Sequence, residues 1–229
     1  MDFNCKIKEK HYKKSRFDQK SEKELSDFKK EKLTQDFDEL KSLANENIEI
    51  QTQILKKNDK ILIPDNENSM LAIRTQSQIN AFSIILSFIE KYGHIDFLSL
   101  QSYTFDEKTI FSLSNLLEAG KIKQLQIIMT ETAYFRIPKI YNNLKILFSE
   151  KENCNLCFYW VHSKVHLIRC NNEYFVLDGS GNFSMNAQIE QYNIFKSKKM
   201  FNFDVEICRN FFFGKKLRKK HEIYQNFKF

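Results

Sequence analysis

Glycine and proline are scarce in this chain, with 5 and 2 among its 229 residues. An all-β sandwich with many turns needs both residues, so the composition argues against that class. Long apolar runs are also missing, because the longest mostly apolar stretch, Ala81 to Ile89, is too short to span a bilayer. The five cysteines are odd in number and irregularly spaced, and the charged N-terminus shows no signal peptide. We therefore expect reduced thiols in a cytoplasmic protein that is not associated with a membrane.

The residues that are abundant predict a globular protein with an appended N-terminal segment. Hydrophobic residues make up 42% of the chain and aromatic residues 14%, with 22 Phe. Residues 1–60 differ, since they hold fifteen Lys or Arg, thirteen Asp or Glu, and no Gly or Pro. A thin apolar stripe with helical spacing runs through this segment: Leu25, Phe28, Leu33, Phe37, Leu40 and Leu43. We predict that 1–60 is a charged helical extension, partly disordered or used for dimerisation or docking, and that 61–229 is the main domain.

Helices and strands alternate from about residue 62 onward. Gly93 is expected to end a helix, whereas Asp106 as an N-cap and Pro138 in a first turn are expected to begin helices. Helices are predicted over 76–92, 106–118, 138–148 and 198–221, with a short one near Asn182. Strands are predicted over 94–104, 123–130, 154–161, 164–170, 174–177 and 189–195. This alternation is typical of an α/β layer architecture.

The net charge of +7 is concentrated near the C-terminus. Residues 209–229 carry seven Lys or Arg against Glu222 alone. The basic run at the end of the predicted last helix contains Lys215, Lys216, Arg218, Lys219 and Lys220. Such a run suits the phosphates of a nucleic acid. A solvated tail without a ligand is the alternative, and charge alone does not decide between them.

A candidate site begins with His162 and Lys164, which are two residues apart on a predicted strand and would therefore share a face. His166 would lie on the same face. Three basic side chains on one side of an interior strand are costly unless an anion meets them. An edge strand with an exposed polar face is the other interpretation.

The turn Gly179-Ser180-Gly181-Asn182 follows the next predicted strand. Its glycines would allow a ligand to approach the backbone closely, and Ser180 and Asn182 suit phosphate oxygens. A helix starting here would add free N–H groups. Glu190 could accept a hydrogen bond from His162 Nδ1 and orient the ring, or it could pair with the basic tail.

Taken together, HSKVHLI and YFVLDGSGNFS with Glu190 resemble the HKD motif of the phospholipase D superfamily, and most closely that of its nuclease-like members. The order of elements from about 61 to 210 is similar to one half-domain of that superfamily. The resemblance implies a phospholipase D-like mixed β-sheet flanked by helices, with the N-terminal helical extension added. Arg169 stands where the family motif has Asp.

The family uses two such motifs in each active site, whereas this chain has one. The resemblance therefore implies a homodimer in which His162 is the nucleophile in one subunit and the general acid in the other. It assigns Lys164 and Asn182 to the nonbridging oxygens, Gly179 and Ser180 to the phosphate, and Glu190 to the imidazole. It implies no metal and no other cofactor.

The basic run favours a nucleic acid as the substrate over a lipid, and DNA slightly over RNA. The implied activity is that of an endonuclease that cleaves phosphodiesters through a phosphohistidine. With Arg169 in the motif, an alternative is a nucleic-acid-binding subunit that cuts weakly or not at all, beside a partner ATPase or helicase. A phospholipase or lipid synthase is a third possibility. Side chains at strand ends that could line a groove are Tyr103, Thr104, Thr130 and Arg136.

A zinc site is the competing interpretation of the Cys and His residues between 154 and 170. Cys154 and Cys157 have a common metal-binding spacing. They fall inside a predicted strand, however, where residues three apart face opposite sides. Buried, apolar cysteines are therefore the stronger expectation.

Overall fold

The computed structural model describes residues 24–57, 63–75, 79–183, 189–213 and 222–225. The chain divides into two compact units, Met1–Glu39 and Leu40–Phe229. In the first unit the described residues form the start of a helix. All contacts below lie within the second unit. None of the helices in the part of the chain that the structure covers combines the length and apolar character needed to cross a membrane.

Helices and strands alternate along the described residues. The helices are α1 (Glu24–Lys57), α2 (Ala81–Tyr92), α3 (Glu107–Glu118), α4 (Ala133–Arg136), α5 (Pro138–Phe148) and α6 (Lys198–Phe213). The strands are β1 (Ser69–Thr75), β2 (Phe97–Ser102), β3 (Leu125–Thr130), β4 (Cys154–Tyr159), β5 (Val165–Cys170), β6 (Glu173–Gly179), β7 (Glu190–Lys196) and β8 (Glu222–Gln225).

The described strands form one mixed sheet in the order β1-β7-β6-β5-β2-β3-β4-β8. Strands β2, β3 and β4 are parallel, and the remaining neighbouring pairs are antiparallel. The predicted fold class, an α/β protein with a mixed sheet flanked by helices and an N-terminal helix, is confirmed.

Helices cover both faces of the sheet. On one face α6 packs Phe201 and Cys208 against a cluster that includes Phe97, Ile128 and Val176. On the other face α2 places Phe88 5.0 Å from the ring of Phe175 on β6, and α5 places Tyr141 4.5 Å from that of Phe158 on β4. Phe175 and Val176 are adjacent on β6, and their side chains enter the cores on opposite faces of the sheet, as the alternation of side chains along a strand requires.

The second half of α1 lies against α2 and α3 through polar contacts. Asn47 donates to the Ser112 hydroxyl over 3.0 Å, and that hydroxyl contacts the Ala44 carbonyl oxygen at 3.1 Å. Ser83 on α2 donates to the side chain of Gln51. The division of the chain near residue 60 remains a prediction, and these contacts show that residues 44–51 pack against the domain.

Local signals account for several element boundaries. Asp106 accepts a hydrogen bond from the Thr109 N–H over 2.7 Å and begins α3 as predicted. Pro138 occupies the first turn of α5, and Gly93 ends α2 with a φ of 81°. Asn171 and Asn172 form the predicted turn between β5 and β6 with φ angles of 48° and 64°. Asn tolerates this left-handed region better than most residues.

One predicted helix differs from the structure, and the predicted end of another lies outside the described residues. Asn182 is not helical, and residues 184–188, where a short helix was expected to continue, lie outside the described part. Helix α6 is described to Phe213, whereas the prediction ran to residue 221. The basic residues Lys215, Lys216, Arg218, Lys219 and Lys220 also lie outside the described residues.

Candidate active site at the carboxyl edge of the sheet

One edge of the sheet collects the polar residues that the sequence singled out. The parallel strands β2, β3 and β4 end at this edge, at Ser102, Thr130 and Tyr159. Because β5 is antiparallel to β2, it begins at the same edge, where β6 ends and β7 begins. We call this the carboxyl edge. It is the part of an α/β sheet where ligands usually bind.

His162 lies in the segment 160–164, which connects β4 to β5, and not on a strand as predicted. The two strands are separated in the sheet by β3 and β2. The segment must therefore cross three strand spacings, or about 14 Å. Its reach is about 20 Å at most, so it takes a fairly direct path across the ends of β3 and β2. We call 160–164 the crossing segment, and it carries the exposed His162 over the carboxyl edge.

The crossing segment is fastened to β2 and β6. The Ser163 hydroxyl donates to Gln101 Oε1 over 2.7 Å, and the Lys164 carbonyl accepts from the Gly179 N–H over 3.2 Å. The ring of Tyr103, just past β2, lies 5.3 Å from that of His162. Lys164 Nζ donates to the His162 carbonyl over 3.2 Å. The imidazole and the ammonium group therefore sit on one short segment with defined supports.

His166 does not share a face with His162 and Lys164, which corrects the prediction of a three-residue basic face. It is buried on β5, which begins only at Val165, whereas His162 is exposed and precedes the strand. Its Nδ1 accepts from the Gln101 N–H over 3.4 Å, and its ring meets Phe183 edge to face at 4.8 Å. Burial, with a smaller effect from the charge of Lys164, lowers the pKa of His166 to about 3. This imidazole is a neutral core group.

The turn at 179–182 packs against Tyr192 on β7. A methyl group added at Gly179 would lie 2.5 Å from Tyr192 Cδ1, and one added at Gly181 would overlap the Tyr192 hydroxyl. The glycines had been predicted to admit a ligand. The close approach that the structure shows is instead to this tyrosine ring. Gly181 is itself buried, Gly179 and Asn182 are half-buried, and Ser180 is the exposed residue of the turn.

Ser180 and Glu190 are bonded to each other. The Ser180 hydroxyl donates to the Glu190 carboxylate and accepts from the Gln191 N–H over 3.0 Å. The backbone N–H of Ser180 donates to the Gln191 carbonyl over 3.0 Å. With the Gly179 N–H bonded to the Lys164 carbonyl, these donors are engaged within the fold. Phosphate binding by Gly179 or Ser180 would require them to exchange partners.

Asn182 is held at the end of β2. Its Oδ1 lies 3.5 Å from the Ser102 hydroxyl. The next residue, Phe183, is buried and stacks on Phe105 at 4.9 Å, while its carbonyl accepts from the Asp106 N–H over 2.8 Å. Anchoring Phe183 in this way places the half-buried amide of Asn182 at the same edge as His162.

Of the other candidate groove residues, Arg136 and Tyr103 are brought together, since the Arg136 guanidinium donates to the Tyr103 hydroxyl. Sequence reasoning overlooked three exposed aromatic side chains at this edge. Trp160 directly follows β4, and Tyr134 and Phe135 lie on α4, just past the end of β3. Their positions immediately beyond apolar strands were the available signal.

Arg169, the residue in place of the motif Asp, lies far from the carboxyl edge. It is near the other end of β5, four residues or about 13 Å from Val165. Its guanidinium lies 5.9 Å from the ring of Phe97. An open cleft of about 820 Å³ at that opposite edge includes Arg169, Asp96, Lys123 and Glu152 in its lining. The Asp-to-Arg difference therefore does not alter the groups around His162 directly.

The cysteines of the zinc interpretation are core residues. Cys154 and Cys157 lie on β4, both buried, and burial raises the pKa of the Cys157 thiol to about 12 and that of Cys154 further still. Across the described ranges, no three His, Cys, Asp or Glu side chains lie close enough together to hold a metal ion.

Comparison with known proteins gives similarity of structure alone. No family model and no curated protein matches the sequence. Nuc from Salmonella typhimurium, a phospholipase D family member, is similar with a TM-score of 0.49 and 16% identity over 69% of this chain and 98% of Nuc. Polyphosphate kinase from Porphyromonas gingivalis gives 0.48 and 12% identity over 62% of this chain and 26% of the kinase. Phosphatidylserine synthase from Haemophilus influenzae Rd KW20 gives 0.45 and 13% identity over 68% of this chain and 40% of the synthase.

Proposed function

We propose that this protein is a metal-independent phosphodiesterase, an endonuclease acting on DNA in preference to RNA, with a homodimeric active site. The observation that carries the proposal is the exposed His162 on the crossing segment, beside Lys164 and at the same sheet edge as Asn182 and Glu190. The residues of the motif that resembles the phospholipase D superfamily thus lie at one edge of the sheet, and we propose that they bind one phosphate there. The superfamily assignment itself is part of the proposal.

In the proposed reaction, a ring nitrogen of His162 attacks phosphorus and forms an N–P bond. The bond from phosphorus to the leaving oxygen breaks, and that oxygen takes a proton from His162 of a second copy of the chain. A water molecule then attacks the phosphohistidine and gives its proton to the second His162. The N–P bond breaks, the phosphomonoester leaves, and both imidazoles return to their starting states.

The remaining groups stabilise charge and hold the imidazole. Lys164 and Asn182 are proposed to bind the nonbridging oxygens, on which negative charge is concentrated during transfer. Glu190 is proposed to accept a hydrogen bond from the His162 ring, and Ser180, which donates to Glu190, holds that carboxylate. Gly179 and Ser180 are proposed to bind the phosphate through their backbone N–H groups, once these are released from the Lys164 and Gln191 carbonyls.

Two parts of the chain are proposed to serve assembly and binding. The basic residues Lys215, Lys216, Arg218, Lys219 and Lys220 would bind the phosphates of the nucleic acid. Residues 1–60 would act in dimerisation or docking. The second copy is needed because one chain supplies a single exposed motif histidine, whereas the reaction uses two.

A second candidate function is a nucleic-acid-binding subunit with little or no cutting activity, working beside a partner ATPase or helicase. The specific observation in its favour is the bond between Ser180 and Glu190, which commits both groups to each other. It differs from the first candidate in one measurable property, the hydrolysis of phosphodiesters.

The test is cleavage of plasmid and single-stranded DNA in EDTA by the full chain. We expect cutting, and we expect His162→Ala to reduce its rate by at least about a hundredfold, because the residue supplies both nucleophile and acid. Arg169→Ala is the matched control, since this side chain lies about 13 Å along β5 from the site. Binding of DNA without cutting by the unmodified chain would favour the second candidate.

A further inference from the structure

Three aromatic side chains are strongly exposed at the carboxyl edge. Phe135 is 81% exposed, Trp160 68% and Tyr134 55%. We call them the aromatic platform. Single exposed apolar residues are ordinary on protein surfaces. Here three aromatic side chains lie just beyond the ends of the two adjacent strands β3 and β4, and two of them, Tyr134 and Phe135, are in contact, so their exposure is clustered rather than scattered.

The platform adjoins the candidate site through a chain of contacts. Strands β3 and β4 end side by side, and the Glu131 N–H donates to the Tyr159 carbonyl over 3.0 Å, directly before Trp160. Arg136 follows Phe135 on α4 and donates to the Tyr103 hydroxyl. The Tyr103 ring in turn lies 5.3 Å from that of His162. Trp160 is itself the first residue of the crossing segment. Tyr134 and Phe135 are linked to that segment through Arg136 and Tyr103.

The two exposed rings on α4, Tyr134 and Phe135, pack against the core through the buried Tyr141. Tyr134 contacts Phe135 edge to face at 4.7 Å and Tyr141 at 5.2 Å. Tyr141 is buried and lies 4.5 Å from Phe158 of β4. Phe135 thus packs on Tyr134, Tyr134 packs on Tyr141, and Tyr141 packs on Phe158 in the core. A preformed surface of this kind can accept a flat partner with little loss of side-chain entropy.

Resting on the proposed function, we infer that the aromatic platform stacks the unpaired bases of a single-stranded nucleic acid whose backbone runs past His162. Every base has an aromatic face, so stacking binds single strands with little sequence preference. In a duplex those faces are already covered by neighbouring base pairs. The platform therefore selects single-stranded over double-stranded substrate.

Charge favours an anionic partner over a second copy of the chain, whose net charge is +7. The cations Arg136 and Lys164 lie at the same edge, where a phosphate backbone would pass: Arg136 contacts Tyr103 on the platform side of His162, and Lys164 contacts the His162 carbonyl oxygen. Aromatic rings interleaved with cations are typical of single-strand grooves. A stable dimer interface buries about 800 Å² per partner, more than three side chains supply.

The experiment measures binding by fluorescence anisotropy in a His162→Ala background, which prevents cutting. The probes are a labelled oligothymidylate, a duplex of the same length, and an oligomer of abasic tetrahydrofuran residues with the same phosphates. We expect the oligothymidylate to bind more tightly than either of the others. Trp160→Ala and Phe135→Ala should each weaken its binding by about tenfold. Neither change should alter binding of the abasic oligomer.

Phe203→Ala is the matched control, because Phe203 is also aromatic and 67% exposed but lies on α6. It should leave binding of every probe unchanged. The inference is overturned if no oligonucleotide binds, or if the platform variants bind like the control. It is also overturned if those variants lose phosphatidylglycerol vesicle binding without base dependence, or if they change the molecular mass in solution.

Failure of this inference is distinguishable from failure of the proposed function. Hydrolysis of bis-para-nitrophenyl phosphate in EDTA by the chain with His162 intact needs no base and tests the chemistry alone. Hydrolysis without base-dependent binding would overturn the platform and keep the phosphodiesterase. Base-dependent binding without hydrolysis would keep the platform and overturn the phosphodiesterase.

Discussion

Two histidines four residues apart occupy opposite environments in this molecule. His162 is exposed on the crossing segment, while His166 is buried on β5. Within the described residues, His166 Nε2 has no hydrogen-bond partner. A buried imidazole in an apolar setting resists protonation, because the cation would lose its hydration. Among the two, only His162 is placed to exchange a proton with a substrate.

The buried histidine gives a prediction for the pH dependence of stability. The pKa of His166 falls from 6.5 to about 3 on folding, so the unfolded chain binds more protons between these values. Its contribution to stability is fully present above pH 6.5 and is lost as the pH falls, by roughly 1.4 kcal/mol per pH unit. Urea unfolding between pH 6.5 and pH 5, a range in which most carboxylates stay ionised, measures this slope.

His166→Gln is the comparison for that measurement. Glutamine cannot become a cation, and its side-chain oxygen can replace Nδ1 as the acceptor for the Gln101 N–H. The variant should show a flatter dependence of unfolding free energy on pH over the same interval. Equal slopes for the two proteins would show that His166 is not the group responsible.

The glycines of the 179–182 turn show what sequence reasoning misses for single residues. Their small size was correctly linked to close approach, but the sequence does not reveal what approaches. The partner is the ring of Tyr192, which comes from β7 and is brought there by strand pairing with β6. Such a contact depends on tertiary structure, and no local pattern encodes it.

At the scale of elements, boundaries set by local chemistry were predictable. Asp106 begins α3, Pro138 begins α5, and the Asn171-Asn172 turn joins β5 to β6. In each case the residue satisfies a free backbone group or adopts a restricted backbone angle by itself. The prediction therefore did not depend on distant parts of the chain.

The placement of His162 on one strand with Lys164 was wrong, because the path of the crossing segment depends on distant parts of the chain. Its residues look like a continuation of β4 into β5, and only the order of strands in the sheet separates them. Because β2 and β3 lie between, the chain must leave the sheet and cross its edge. Candidate site residues were thus found by motif, while their arrangement required the topology.

Ser163 tests whether the crossing segment is positioned by its bond to β2. The Ser163 hydroxyl donates to Gln101 Oε1, itself a buried side chain. Losing one such bond costs about 1 kcal/mol, which would loosen the segment that presents His162. Ser163→Ala should lower kcat about fivefold to tenfold with little change in KM, because no substrate contact is removed.

Steady-state hydrolysis of an activated phosphodiester provides this measurement. Ser163→Thr, which keeps the hydroxyl group, should restore most of kcat. If both variants raise KM and leave kcat unchanged, Ser163 acts on substrate binding and the positioning account is wrong.

For the whole molecule, the distribution of charge matters more than the net value. Six of the seven excess positive charges come from residues 209–229, whereas the 1–60 segment is nearly balanced. Binding to a nucleic acid through Lys and Arg releases condensed counterions and therefore weakens with salt. The contribution of the basic run can be separated from that of the carboxyl edge by this salt dependence.

Replacing Lys215, Lys216, Arg218, Lys219 and Lys220 with Gln should reduce the slope of log affinity against log salt concentration. Five phosphate contacts correspond to a change of up to about 4.5 for duplex DNA. Anisotropy titrations of duplex DNA across salt concentrations give the slope. An unchanged slope would mean that the run is a solvated tail without a role in binding.

The shared active site is the central claim for the whole molecule, and subunit mixing tests it most directly. The unmodified chain is co-refolded with increasing fractions of His162→Ala at constant total protein, and phosphodiester hydrolysis is measured in EDTA. If each site needs His162 from two chains, activity falls as the square of the unmodified fraction. A linear decline would show that one chain carries a complete site, and activity that does not depend on His162 would contradict the account altogether.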